Sequence, residues 1–226
     1  MAVTIELKDN TVRSRMLQLI SVAIFFVLVA NLTFQFYRYE SWCDFYYGTV
    51  NSSEVAFVEL LNKILLTGIS VLSVIWIVIF SLWMHRAVKN LIEFQLAPLT
   101  YHSSWAFWHW IVPFYSFRIS HSITAELAMW YEQILIKNKL GKHRKYRLGL
   151  ITLCWLLGAI GTAMFALGLI PAMEAVVLLI VANILLVAAL IVWQFVLVDL
   201  RKLEKTALRV KNVNHDFDQD VIDSNF

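Results

Sequence analysis

The sequence is poor in charged residues and in the residues that interrupt helices. Of its 226 residues only 15% are charged, and there are 7 glycines and 3 prolines. So few charges exclude a water-soluble globular domain, and so little glycine and proline excludes a fibrous or disordered chain. Two cysteines, Cys43 and Cys154, cannot build a disulfide framework, and we expect both to be free thiols. Since 60% of the residues are hydrophobic, an integral membrane protein remains.

The apolar residues form long continuous blocks, whereas the strands of a membrane barrel would alternate between apolar and polar residues. Four blocks are long enough to cross a hydrocarbon core of about 30 Å. They are residues 16–36, 64–84, 148–170 and 172–198. The sequence therefore predicts an all-α polytopic membrane protein with four transmembrane helices. Residues 1–226 form a single membrane domain that ends in a tail at 199–226, whose acidic end we expect to be flexible or to bind a partner.

Most basic residues lie on one side of these four spans. The segments expected outside carry only Arg38 and Lys63, which leaves 17 of the 19 basic residues for the other side. The positive-inside rule therefore predicts that both termini and the long central segment are cytoplasmic. We expect the segment from Tyr37 to Lys63 to be an outer loop, in which Glu59 and Lys63 have the spacing of a helical ion pair.

The third and fourth spans are predicted to form a helical hairpin. Gly168 and Pro171 are residues that stop and restart helices. Gly158 and Thr162 lie on one stripe of the third span, and small residues there let a neighbouring helix approach closely. The neighbour is the fourth span or another subunit, of which the first is favoured. Asn183, in the middle of the fourth span, is interpreted as a packing residue, with a pore-lining role as the alternative.

The central segment joins a short aromatic block to an amphipathic helix. Residues 105–114 read WAFWHWIVPF, which is too short to span the membrane and typical of an interfacial or re-entrant element. Residues 116–138 place apolar side chains opposite a polar face that includes Glu126 and Glu132. The apolar face is expected on the inner leaflet or against the bundle. The candidate interaction residues are His85, Arg86, Asn90, Trp105, Trp108, His109, Trp110, Pro113, Arg118, Glu126 and Trp130.

These motifs together resemble a known family. The letters HRA at 85–87 end one helix, a Trp-rich segment leads into VPF at 112–114, and an amphipathic helix carrying Glu126 follows. This combination, over roughly residues 81–130, resembles the bacterial membrane proteins grouped as domain of unknown function 4328. The resemblance implies the same fold and a bacterial inner (cytoplasmic) membrane. The family has no established activity, so the resemblance implies none.

The sequence departs from that family's pattern at two places. Ser116 stands where the family usually has an asparagine, and Ile119 and Ser120 replace a basic-proline pair. Arg118 lies one position before that pair. Any role of the family's basic residue is therefore either lost here or moved to Arg118.

Motifs for chemistry are sparse. His102 and His109 would share a helical face, but no cysteine or carboxylate completes a metal or haem ligand set with recognisable spacing, so we predict no cofactor and no metal site. Apart from Glu174 near the start of the fourth, the four spans carry no charged residue, which argues against a transport pathway. There is no nucleophile elbow, phosphate loop or zinc-protease motif.

The pattern as a whole favours a non-catalytic accessory or scaffold subunit of a membrane complex. Its partners would be the lipid bilayer and a membrane protein or further copies of the chain, and no nucleic acid is implied. A small oligomeric transporter or channel is the alternative, and a membrane-bound enzyme or haem protein comes third.

Overall fold

The computed structural model of the protein describes residues 10–93, 100, 102–108, 115–140, 146–169 and 173–223. These residues form six α-helices and no strand. The helices are α1 (Thr11–Tyr46), α2 (Ser52–Glu93), α3 (Trp105–Trp108), α4 (Tyr115–Lys137), α5 (Tyr146–Leu167) and α6 (Met173–Asp223). Helices α1, α2, α5 and α6 are long and apolar enough to cross a membrane. The predicted all-α class with four membrane helices is confirmed.

The first two helices extend well beyond their apolar blocks. Residues 37–63 were expected as an outer loop, but they are helical except for residues 47–51, so that expectation was wrong. The physical reason is that both extensions bury side chains, among them Arg38, Val55 and Val58. Packing between helices stabilises residues that hydropathy alone assigns to a loop.

Helices α1 and α4 end with the same hydrogen-bond motif. After α1, the Gly48 N–H donates to the Phe45 carbonyl (3.0 Å) and the Thr49 N–H to the Asp44 carbonyl (2.9 Å). This Schellman motif needs a residue with positive φ, and Gly48 has φ 75°. At the end of α4 the same position is taken by Lys139, with φ 59°, which a side chain makes less favourable.

The chain divides into two compact units. The bundle unit consists of Leu17–Ile79 and Thr152–Gln194, and it holds the C-terminal parts of α1 and α5 and the N-terminal parts of α2 and α6. The central-segment unit consists of Met1–Met16, Phe80–Ile151 and Phe195–Phe226. It holds α3 and α4 together with the remaining parts of α1, α2, α5 and α6.

Within the bundle unit, α5 and α6 approach each other closely at two glycines. A Cβ atom on Gly161 would lie 2.9 Å from Leu186 Cγ, and one on Gly168 would lie 2.6 Å from Leu179 Cγ. Gly161 and Gly168 are seven residues apart and therefore share one face of α5. This contact lies on the face of α5 next to the predicted stripe. On the predicted stripe, Gly158 is half-buried and Thr162 is exposed.

Helix α4 is amphipathic, and its apolar face is buried inside the central-segment unit. Ile123 and Leu127 on that face are almost completely buried, whereas Arg118 is exposed. The apolar face is therefore covered by protein and does not lie open to lipid. Glu132, expected on the polar face, is buried instead, because Arg147 at the start of α5 pairs with it at 3.0 Å.

Backbone helix continues through the C-terminal segment as far as Asp223. The acidic end of the tail, which we expected to be flexible or to bind a partner, is therefore helical up to that residue.

Replacing Gly168 with alanine tests the close approach of α5 and α6. The new methyl group would meet Leu179 Cγ and the Ala175 carbonyl oxygen, so we expect Gly168→Ala to lower the free energy of unfolding by about 1–3 kcal/mol. Unfolding by dodecyl sulfate in mixed micelles measures this. The matched control is Gly68→Ala, since nothing lies within 4 Å of that site. Equal stability of the two variants would contradict the packing described here.

Candidate functional site

A chain of hydrogen bonds between polar side chains runs through the bundle unit. Arg38 Nη1 donates to Gln35 Oε1 (3.2 Å), and Gln35 Nε2 donates to Asn31 Oδ1 (3.2 Å). Asn31 Nδ2 then donates to Asn183 Oδ1 on α6 (3.0 Å), and Asn183 Nδ2 to the Leu179 carbonyl (2.6 Å). Each group accepts from one neighbour and donates to the next, so the bond dipoles all point the same way along the chain and reinforce one another.

The chain begins at an ion pair between α1 and α2. Arg38 Nε and Nη2 bind the two carboxylate oxygens of Glu59 at 2.7 and 3.0 Å, which is the bidentate geometry of a strong guanidinium–carboxylate pair. Trp42 Nε1 also donates to Glu59 Oε1 (2.8 Å). Glu59 therefore pairs with Arg38, and Lys63, its expected partner, is exposed. Gln35 Nε2 makes a further bond to Asn62 Oδ1 (2.8 Å), again linking α1 to α2.

These contacts fix three helices to one another. Asn31, Gln35, Asn62 and Asn183 are all buried, and each uses its amide within the network. Amide groups do not gain or lose protons near neutral pH, so these four side chains cannot relay protons along the row of hydrogen bonds. Asn183 is thus placed in a helix–helix contact. The spacing of Asn31, Gln35 and Arg38 on one face of α1 is the sequence signal from which the network could have been found.

The bond between Asn31 and Asn183 is open to a direct test. Asn31→Leu and Asn183→Leu should each lower the free energy of unfolding, and their double-mutant cycle should give a coupling of about 1 kcal/mol, the size of interhelical hydrogen bonds in membranes. Thr33→Val serves as the control, because exposed Thr33 bonds only to the Val29 carbonyl of its own helix. Strictly additive effects of the two leucine substitutions would show that the bond does not form.

The central-segment unit contains a buried carboxylate. Only 4% of Glu204 on α6 is exposed. Its Oε1 atom lies 3.2 Å from Asn10 Nδ2, 3.4 Å from the Tyr131 hydroxyl and 3.5 Å from Asn90 Nδ2. Tyr131 also lies 3.2 Å from the Ala87 carbonyl, so its single hydroxyl hydrogen is shared between two acceptors. Residues from α2, α4 and α6 and the residue preceding α1 thus converge on one oxygen atom.

Tyr131 holds its proton firmly in this cluster. Complete burial, followed by the charge of Glu204 and the hydrogen bond to it, raises the pKa of Tyr131 well above its usual 10.0. The phenol therefore acts as a hydrogen-bond donor to Glu204 and not as a base. Asn10, Asn90 and Tyr131 donate to Glu204 as neutral groups, and these hydrogen bonds stabilise the carboxylate in its buried position.

A second cluster in the same unit is formed by Arg147. It contacts Glu132 on α4 at 3.0 Å and Asp199 on α6 at 2.5 Å. Both Arg147 and Glu132 are almost fully buried, so this ion pair ties α4, α5 and α6 together in a low-dielectric setting.

The candidate residues at the end of α2 have different environments. His85 is half-buried, with Nδ1 2.9 Å from the Ser103 carbonyl. Arg86 is buried, and Asn90 is buried against Glu204. Of the predicted candidates, Asn90 is the one that the described structure brings into the Glu204 cluster.

The candidates of the aromatic block and α4 are mostly at the surface. Trp105 and Trp108 on α3 are 44% and 62% exposed. Arg118 is exposed, Trp130 is half-buried, and Glu126 accepts a bond from the Thr100 N–H (3.2 Å). His109, Trp110 and Pro113 lie outside the described residues, as does the rest of the aromatic block after Trp108.

Three members of the Glu204 cluster were missed by sequence reasoning. They are Asn10, Tyr131 and Glu204 itself. Glu204 lies between Leu200 and Ala207 on one buried face of α6. A carboxylate on an otherwise apolar stripe could therefore have been recognised in the sequence as a buried polar site. Nothing in the local pattern marks Asn10, which lies 194 positions from Glu204 in the sequence.

The chain matches no known family model, no curated protein and no solved structure.

Tyr131→Phe tests the role of the phenol. The variant loses a hydrogen bond to a buried carboxylate, so we expect its free energy of unfolding to fall by about 1–3 kcal/mol at neutral pH. The folded wild type also keeps the Tyr131 proton at pH values where the unfolded chain releases it. Its stability should therefore fall as pH rises above 10, through the window up to the raised pKa, and this loss should be smaller in Tyr131→Phe.

Unfolding curves in mixed micelles at pH 8 and above pH 10 measure both effects. The control is Tyr47→Phe, because the Tyr47 side chain is 78% exposed. If the two phenylalanine variants behave alike, the hydrogen bond from Tyr131 does not stabilise the fold.

Proposed function

We propose that the protein is a non-catalytic accessory or scaffold subunit of a membrane complex. The observation that carries this proposal is the pair of exposed indoles on α3. Trp105 and Trp108 are three positions apart, so they share one face of the helix. Tryptophan is enriched at the centres of protein interfaces, where its large apolar surface is buried by a partner. An exposed pair on one face is therefore a surface suited to protein–protein interaction.

The hydrogen-bond chain of the bundle unit supports a structural role for the membrane helices. From Arg38 to Asn183, the polar side chains are engaged with one another and with backbone carbonyls. A transport pathway needs polar or ionisable groups that can exchange partners with a solute. Side chains that lock helices together are better suited to presenting a fixed surface.

The proposed location is a bacterial inner membrane with both termini cytoplasmic. Support comes from the distribution of basic residues, because the positive-inside rule puts the segments rich in lysine and arginine in the cytoplasm. We also propose that the chain belongs with the bacterial proteins of domain of unknown function 4328. The support is the motif resemblance over residues 81–130, and it adds no activity.

A small oligomeric transporter or channel is the second candidate. The feature that favours it is the row of polar groups that links Arg38 to Asn183 inside membrane-spanning helices. For this row to line a pathway, the bonds between α1 and α6 would have to open. Transport would then depend on Asn31 and Asn183 themselves.

Photo-crosslinking in native membranes distinguishes the two candidates. A benzophenone amino acid replaces Trp108 in one variant and Val74 of α2, which is 60% exposed in the bundle unit, in the control. A scaffold subunit should give a discrete crosslinked product of fixed mass from position 108 that contains a different membrane protein, since a product with a second copy of the chain is also expected of an oligomeric transporter. Position 74 should give no such product.

The transporter candidate makes the opposite prediction. If position 108 gives no protein adduct while the purified protein conducts solute in liposomes, the scaffold proposal is wrong. Loss of that flux in Asn31→Leu and Asn183→Leu would then assign the pathway to the hydrogen-bond chain.

A further inference from the structure

Arg86 is a buried cation that the described chain does not satisfy. Arg86 is only 8% exposed, and neither its Nε nor its Nη2 atom has a hydrogen-bond partner. Within the residues that the structure describes, it forms no ion pair. Burying a guanidinium without compensation is strongly unfavourable, because the charge loses its hydration and gains nothing in return. A group from outside the chain would remove that cost.

The two open atoms of Arg86 form one binding edge. Nε and Nη2 lie on the same side of the guanidinium plane, and they are the two atoms with which Arg38 holds both carboxylate oxygens of Glu59. This edge recognises two oxygens of a planar carboxylate or a tetrahedral phosphate through parallel N–H···O bonds. In Arg38 the edge is filled by the chain itself, whereas in Arg86 it is open.

Glu204 does not fill this edge. It is a carboxylate of the same unit, and Asn90, one turn after Arg86 on α2, touches its Oε1 atom. That oxygen lies within hydrogen-bond distance of the neutral donors of Asn10, Asn90 and Tyr131. Arg86 Nε and Nη2 make no hydrogen bond to it.

Arg86 lies at the border between the exposed and the buried side of α2. At 100° per residue, Arg86 lies between the exposed stripe of Leu82 and Lys89 and the buried face of Trp83 and Asn90. Arg86 also follows the apolar block 64–84, so in a membrane it would lie near the phosphate groups of lipids.

We propose that Arg86 binds an oxyanion of the phosphate type through Nε and Nη2. The source is the headgroup of an anionic phospholipid or free phosphate, which share this chemistry. The proposal is independent of the scaffold role, because it concerns what the protein binds through α2 and not what docks on α3.

Thermal unfolding of the full-length protein in detergent tests the site. The probes are dioleoyl phosphatidylglycerol, dioleoyl phosphatidylcholine and inorganic phosphate. Phosphatidylglycerol should raise the Tm of the wild type by roughly 5 °C, since a ligand that binds only the folded state stabilises it. A lipid source predicts no shift with inorganic phosphate, and a free-phosphate source predicts the shift with inorganic phosphate as well. Phosphatidylcholine, which is neutral overall, should give a smaller shift than phosphatidylglycerol.

Three variants make the result specific to Arg86. Arg86→Gln should lose the shift, and Arg86→Lys should lose most of it, because lysine keeps the charge but not the two-pronged edge. Arg209→Gln, at an exposed arginine of α6, should keep it. Without any probe, Arg86→Gln should be at least as stable as the wild type, since it removes an uncompensated buried charge.

Several results would overturn the proposal. A lower Tm of Arg86→Gln in the absence of probe would mean that the chain already supplies a partner for the guanidinium. An undiminished shift in Arg86→Gln would place the binding elsewhere. The absence of any shift of the wild type with phosphatidylglycerol and with phosphate would show that neither source binds.

Discussion

A polar side chain inside an apolar helix bundle has no water to bond, so it must find its partner on its own helix or on another one. This constraint determines how the described helices are held together. In the bundle unit, Asn31 on α1 and Asn183 on α6 satisfy each other, and Arg38 is held by Glu59 on α2. Apolar surface offers no comparable specificity in lipid, because a leucine side chain contacts lipid tails as favourably as another helix. The hydrogen bonds therefore fix how the helices are aligned along one another, and the apolar side chains pack within that alignment.

The sequence predicts the fold class well because apolar block length is a local property. Residues 16–36 or 64–84 can be recognised without knowing what surrounds them. The helical extensions over residues 37–46 and 52–63 were missed for the opposite reason: they are stabilised by pairing with each other, as in the bond from Trp42 to Glu59. The Glu204 cluster lies further from prediction still, since Asn10, Asn90 and Tyr131 reach it from three distant segments.

Small residues show that one packing principle is compatible with more than one face of a helix. Close packing of α5 on α6 was expected from the spacing of four between Gly158 and Thr162. The structure uses Gly161 and Gly168, which are seven apart and lie on an adjacent face. Both spacings occur on a helix, and composition does not choose between them. The choice is made by the partner, because Leu186 and Leu179 of α6 occupy the space that a Cβ atom would need.

Arg38 and Arg86 show the same requirement met in two different ways. Both are buried arginines on long membrane helices, and in both the decisive atoms are Nε and Nη2. For Arg38 the chain supplies a carboxylate at the matching distance, so the pair contributes to holding α1 and α2 together. For Arg86 the residues that the structure describes supply no acceptor to Nε and Nη2, and this is the reason for proposing an external oxyanion. The difference between a structural arginine and a binding arginine therefore lies in whether the fold itself provides the acceptor.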